Sequence, residues 1–231
     1  MGEVPDTAKK DPEAQLRVLS RTLRALRSSS KALVRVTEET SLLREVCRII
    51  VEDCGHAMVW VGFAENDADK SVRPAAYSGF ESGYLEALGL TWADTERGRG
   101  PTGRAIRTDE VCLCRNMLTD PVFTPWREEA LRRGYASSIA LPLSCNGNVI
   151  GALTLYSREP DPFSEDEIIL LTHLADDLAF GICSLRMRLA HAQAEAETTR
   201  AQRERDLTIA FLRMVNLSRG RDDLLRTSAL F

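Results

Sequence analysis

Gly98-Arg99-Gly100-Pro101-Thr102-Gly103-Arg104-Ala105-Ile106-Arg107-Thr108 is the stretch whose reading decides the fold. It contains Gly-x-Gly-x-x-Gly, the spacing that lets a backbone approach a dinucleotide pyrophosphate. That chemistry needs a strand directly before the first glycine and a βαβ unit around it. Residues 91–97, Thr-Trp-Ala-Asp-Thr-Glu-Arg, are instead a polar loop. Asp120 stands where a ribose-binding acid would, but it precedes Pro121 in a loop. The stretch therefore reads as a tight glycine loop entering a helix, with Pro101 in its first turn. The N–H groups of such a helix start are unpaired and favour an anion or a polar ligand.

Outward from that loop the pattern is mixed. Downstream, residues 111–114 form a short apolar strand, and 120–134 a long loop with a helical piece over 125–133. Residues 138–143 and 149–157 read as two strands around Cys145-Asn146-Gly147-Asn148. The Asn-Gly pair tolerates positive φ and predicts a tight hairpin. Upstream, β-rich residues 58–63 and 72–78 flank a polar turn, giving a second hairpin. A short helix is expected over 81–88. Ser164 with Glu167 three residues on is a capping box, and it opens a helical pattern through Ile168, Leu171, Leu174, Leu178, Ile182 and Leu185. With no Gly or Pro between Gly181 and Gly220, that helix is expected to reach about Leu217.

The ends are helical too. Residues 1–13 are polar, carry Pro5 and Pro12, and read as a disordered tail. Leu16, Leu19, Leu23 and Leu26 make an apolar stripe over 14–30 that reads as a coiled-coil helix. Ser28-Ser29-Ser30 weakens it, and a second helix is expected over 31–53. Residues 184–207 are rich in Ala, Glu, Arg and Gln and need a coiled-coil partner. Residues 211–231 repeat the apolar pattern of 30–50 at an offset of about 180 residues, and 208–231 reads as the start of a second, similar domain, so the chain is expected to be a piece of a longer protein.

The glycine loop, the strand after it, Asp120-Pro121-Val122-Phe123-Thr124-Pro125-Trp126-Arg127, and the run from Gly134 to Leu143 together resemble the GAF domains of multidomain signalling proteins. The resemblance covers roughly residues 30–183. It implies an α+β fold: a central antiparallel sheet of five or six strands, with the helices of 31–53 and 164–185 on one face and ligand-side loops on the other, flanked by coiled-coil helices. It places the pocket under loops 81–104 and 114–137. Trp92, Arg99, Asn116, Asp120, Phe123, Trp126 and Tyr135 are then the residues that line or lid it, and Trp60 is its floor. Aromatic groups with a few polar ones suit a small-molecule pocket, although Trp126 and Tyr135 serve equally well to pin a long loop to a sheet. The resemblance leaves ligand and cofactor unknown.

Other chemistries find less support. Zinc would need two ligands beyond Cys112 and Cys114, and none is suitably spaced. His56, His173 and His191 stand alone, and no Cys-His pair offers a bilin attachment. His191 lies on a long helix, but the residues after it lack the acidic, Arg, Thr-Pro pattern of a phosphoacceptor. GAF-like free methionine sulfoxide reductases carry a Cys in the glycine-rich turn and another in the following loop. Gly100-Pro101-Thr102-Gly103 and residues 115–137 contain none, so no catalytic residues are expected.

Composition is ordinary for a soluble globular protein. The 231 residues are 44% hydrophobic and 28% charged, enough for one domain of about 150 residues and some 80 residues besides. A net charge of -4 disfavours broad binding to nucleic acid. No run of 18 apolar residues and no export signal is present, so a cytoplasmic location without membrane insertion is expected, with all six Cys as thiols. The expected function is that of a sensory GAF domain. It would bind a small molecule, form a homodimer through its flanking helices, and relay a signal to an output domain in cis, most naturally a histidine kinase. The alternative is a ligand-free module for dimerisation and relay.

Overall fold

The computed structural model describes residues 12–80 and 83–228. The expected disordered tail therefore lies almost entirely outside the described residues, as do the start of the 81–88 helix and the last three residues of the chain. Two compact units divide at Leu185 and Arg186.

The first unit is organised by strand alternation. In β1 (Met58–Ala64), Val59, Val61 and Phe63 join one apolar cluster, while Met58 and Trp60 join another across the sheet. Successive side chains of a strand point to opposite faces, so a strand buried on both sides reads as a continuous apolar run. Four further strands are β2 (Val72–Gly79), β3 (Cys112–Cys114), β4 (Ser137–Cys145) and β5 (Asn148–Ser157). They form one antiparallel sheet in the order β2-β1-β5-β4-β3. The β4–β5 hairpin closes at Asn146 and Gly147, both with positive φ (50° and 78°), as the Asn-Gly pair predicts.

One face carries the helices. These are α1 (Pro12–Arg35), α2 (Glu39–Ile49) and the first part of α6 (Glu165–Ser228). Leu42, Val46 and Ile50 from the α2 side meet Leu171, Leu174, Leu178 and Ile182 of α6 over Ile139, Leu141, Leu153 and Leu155 of the sheet. Ser164 accepts a hydrogen bond from the Glu167 N–H at 3.2 Å, the cap the sequence announced. Part of α6 reaches a mean hydropathy of 1.6 over 18 residues, long and apolar enough for a membrane crossing. Its buried residues here are those that cover the sheet.

Two expectations need correction. The helix break does not fall at Ser28-Ser29-Ser30: α1 runs through it, and the chain breaks at residues 36–38. Small serines let the helix approach its neighbours. Ser29 is buried, and Ser30 Oγ donates to Asp177 of α6 at 2.9 Å. The inward stripe of α1 is Thr22, Ala25, Ser29 and Ala32, which leaves Leu16 and Leu23 outside. Second, the cysteines are not all thiols. Cys145 and Cys183 form a disulfide between the end of β4 and α6. The hairpin turn brings Cys145 to the helix face, which a sequence separation of 38 does not reveal.

The opposite face of the sheet is covered by short pieces: α3 (Tyr84–Leu88), α4 (Pro101–Thr108), a 3-10 turn over Pro121–Trp126, and α5 (Arg127–Arg132). In the second unit α6 continues as a helix whose described side chains are exposed.

Candidate functional site

The glycine loop is built for close approach. A Cβ on Gly103 would lie 2.5 Å from the Gly98 and Thr91 carbonyl oxygens, and one on Gly100 would lie 2.5 Å from Trp126. Arg107, which sequence reasoning passed over, fixes this loop. Its guanidinium donates to the carbonyls of Trp92, Ala93 and Gly98, the last at 2.9 Å. A loop, not a strand, precedes α4, so the dinucleotide geometry is not formed.

Beneath that loop lies a small cavity of about 10 Å³, room for one water-sized sphere. Tyr84, Leu88, Thr102, Phe123, Trp126, Ser138 and Tyr156 are among its lining residues. Three polar atoms in this region are buried without a protein partner: Tyr84 Oη, Ser138 Oγ and Trp60 Nε1. The Tyr84 and Trp60 atoms lie near the Tyr156 hydroxyl, but neither reaches it with hydrogen-bond geometry. Thr102 and Thr154 share a buried hydroxyl–hydroxyl bond of 3.0 Å. Tyr84 packs edge-on against Tyr135 and Tyr156, with ring centroids 5.3 and 5.4 Å away.

Electrostatics keep this wall neutral. Burial pushes the Tyr84 and Tyr156 hydroxyls well above the usual tyrosine range. Burial, with the Asp120 carboxylate beside it, pushes the Cys114 thiol up to about 12. A thiol so disfavoured as thiolate is a poor nucleophile. Among the described residues no cluster of His, Cys, Asp or Glu is arranged to hold a metal ion.

The eight expected pocket residues separate into groups. Phe123 and Trp126 line the cavity, their rings 5.7 Å apart, and Trp126 Nε1 donates to the Leu88 carbonyl at 3.2 Å. Trp60 and Tyr135 belong to the wall behind it. The Tyr135 hydroxyl donates to the Phe80 carbonyl. The other four do loop work. Trp92 donates to the Glu65 carbonyl at 2.9 Å under the Lys70 ammonium. Asn116 accepts from the Leu118 N–H, and Asp120 from the Val122 N–H. Arg99 is 63% exposed and paired with Asp94 at 3.0 Å. The sequence reading missed Tyr84, Ser138 and Tyr156. Their signal is period-two alternation: Ser138 and Tyr156 stand opposite in phase to Ile139 and Leu155, so they face the loops.

A five-stranded antiparallel sheet with helices on one face and a loop-roofed aromatic cavity on the other defines an α+β domain. The GAF domain family model matches residues 36–182, and the chain belongs to that family. Its fold is shared by the free methionine-R-sulfoxide reductase of Neisseria meningitidis, solved with its substrate (19% identity, TM-score 0.62, 78% of this chain and 96% of that one). It is shared by the GAF domain of a phosphoenolpyruvate-protein phosphotransferase from Coxiella burnetii (20%, 0.62, 74% and 98%). A phycocyanobilin-bound GAF domain of a cyanobacterial phytochrome is similar as well (19%, 0.57, 72% and 96%). At such identities the likeness is one of fold. No curated protein matches the chain. The family is that of regulatory and sensory modules, many of which bind small molecules.

Proposed function

We propose that this chain is the sensory input domain of a signalling protein, without catalytic activity of its own. A small molecule binds under the 3-10 turn Pro121–Trp126 and biases the flanking helices, which relay the change to an output domain in cis, a histidine kinase by preference. The observation that carries this reading is the set of unpartnered Tyr84, Ser138 and Trp60 atoms in an aromatic wall. Buried polar groups without partners are costly and rare, and they accumulate where a ligand completes them. With only about 10 Å³ open, a ligand larger than water must displace Phe123 and Trp126. The equilibrium between closed and opened roofs is then the switch: a ligand favouring the open roof by one or two kcal/mol shifts it roughly tenfold.

The helices support a homodimer. Leu16 and Leu23 of α1 and Phe180 of α6 present large apolar side chains to solvent, which a second copy would cover. A cytoplasmic location suits such a relay. A second reading is favoured by the small cavity: with Trp126 filling it, the domain is a ligand-free dimerisation module.

Native mass spectrometry of the purified chain, paired with a denatured spectrum, separates the readings. A dimer carrying mass that leaves on denaturation supports the sensor. A dimer of bare chain mass, unchanged after incubation with a metabolite extract, supports the structural module. A monomer overturns the dimeric relay.

A further inference from the structure

The disulfide lies on the face of the sheet away from the cavity, at the place where α6 leaves the first unit. Cys145 ends β4, and its Cα is 6.3 Å from that of Cys183, within the span such a bond bridges. The two sulfurs differ in setting. Cys145 is half-buried beside the exposed turn Asn146-Gly147, whereas Cys183 is buried in the row Leu178, Ala179, Ile182. Two residues earlier, a Cβ on Gly181 would collide with Leu33 of α1 and crowd Leu42 of α2. The bond therefore ties the hairpin tip to a closely packed turn of α6, two residues before Leu185, where the unit ends.

The remaining thiols do not compete with this pair. Burial pushes Cys47, Cys54 and Cys114 up to about 12 and raises Cys112 as well. At neutral pH they stay protonated and are slow to exchange. Only the Cys145 sulfur combines a formed disulfide with access from an exposed turn.

We propose that Cys145–Cys183 is a reversible redox site whose state decides whether the β4–β5 hairpin is fastened to the last turn of α6 inside the GAF unit. The reductant is a low-molecular-weight thiol. Its thiolate attacks the Cys145 sulfur, the S–S bond breaks, and Cys183 leaves as a thiolate and takes up a proton. A second thiol molecule attacks the mixed disulfide on Cys145 and frees its thiol. Two electrons pass from two small thiols to the protein, and one small disulfide is released. The reverse reaction, with that small disulfide as oxidant, restores the bond.

The test equilibrates the full wild-type chain in glutathione buffers of graded poise. Each sample is quenched with acid, alkylated in denaturant and mapped by peptide mass. Cys145 and Cys183 are expected to change together through one midpoint, so that four cysteines alkylate in the oxidised chain and six in the reduced one. Hydrogen exchange is expected to quicken about tenfold on reduction over residues 141–150 and 178–185 and to stay constant in β1. Cys145→Ser is expected to match the reduced wild type in every buffer, and Cys112→Ser to titrate like the wild type. Three results overturn the proposal: a pair that stays dithiol in excess oxidised glutathione, a pair that stays bonded in excess reduced glutathione, or identical exchange in the two forms.

Discussion

Gly100 and Trp126 are matched across the roof of the cavity: a Cβ at position 100 would stand 2.5 Å from the Trp126 ring. Gly100 has φ −62°, so the glycine is there for space and not for an unusual backbone angle. Gly100→Ala must therefore push the indole outward. Overpacking of this kind costs about 1–3 kcal/mol. Urea denaturation should show that loss, with the slope of the transition unchanged. A stability equal to wild type would mean that the roof yields freely.

Trp126→Ala makes the opposite change. It removes a buried indole and one of two donors to the Leu88 carbonyl, which keeps its bond from Arg97 at 2.9 Å. Truncating a buried Trp costs about 3–5 kcal/mol. The hole should accept what was removed. Millimolar indole is expected to raise the melting temperature of Trp126→Ala by several degrees, by mass action on the folded state, and to leave the wild type unmoved. Equal shifts in both proteins would show that indole binds elsewhere.

His56 gives the domain an acid limit. It is buried, stacked on Phe163 at 5.7 Å, and its Nε2 has no hydrogen-bond partner. Burial lowers its pKa to about 4. Glu167 of α6 lies 3.8 Å away, too far for a hydrogen bond. A histidine depressed below its unfolded value near 6.5 takes up its proton more readily when unfolded. Its contribution is therefore complete above about pH 6.5 and shrinks as pH falls toward 4, by about 1–3 kcal/mol. Urea titrations at pH 7.5, 6.0 and 5.0 should fall along that course. His56→Phe should flatten it, and an unchanged slope in that variant would assign the acid sensitivity to other groups.

The sheet and α6 were legible because each carries a period that burial alone dictates. Val59, Val61 and Phe63 against Met58 and Trp60 alternate by two, and Leu171, Leu174 and Leu178 follow a helix face after a Ser164 cap. The break after Arg35 was not legible, because serines at 28–30 are weak helix formers in isolation and good packing residues against Asp177 and α6. In the candidate site the roof residues Phe123 and Trp126 could be named because the resemblance to GAF domains places their loop over the pocket. The wall was harder: alternation puts Ser138 and Tyr156 on the loop side of the sheet, but only the fold brings Tyr84 of α3 against them. The same holds for Cys145 and Cys183, whose proximity depends on how hairpin and helix pack.

The outward faces of α1 and α6 carry the last prediction. Val34 is 87% exposed, Phe180 72% and Leu23 52%. Leu16 and Leu23 stand seven residues apart, the repeat of a helix–helix seam. Leu33 of α1 and Gly181 of α6 are in contact, so both faces belong to the same side-by-side helix pair. A second copy burying these residues would gain roughly 25 cal/mol for each Å² of apolar surface covered. Phe180→Glu places a charge in that seam while touching nothing buried. Its effect on the single chain should stay within about 0.5 kcal/mol. Sedimentation velocity should show the wild type as a dimer at micromolar concentration and Phe180→Glu shifted to monomer, with circular dichroism unchanged. A variant that remains dimeric would move the interface off this helix pair.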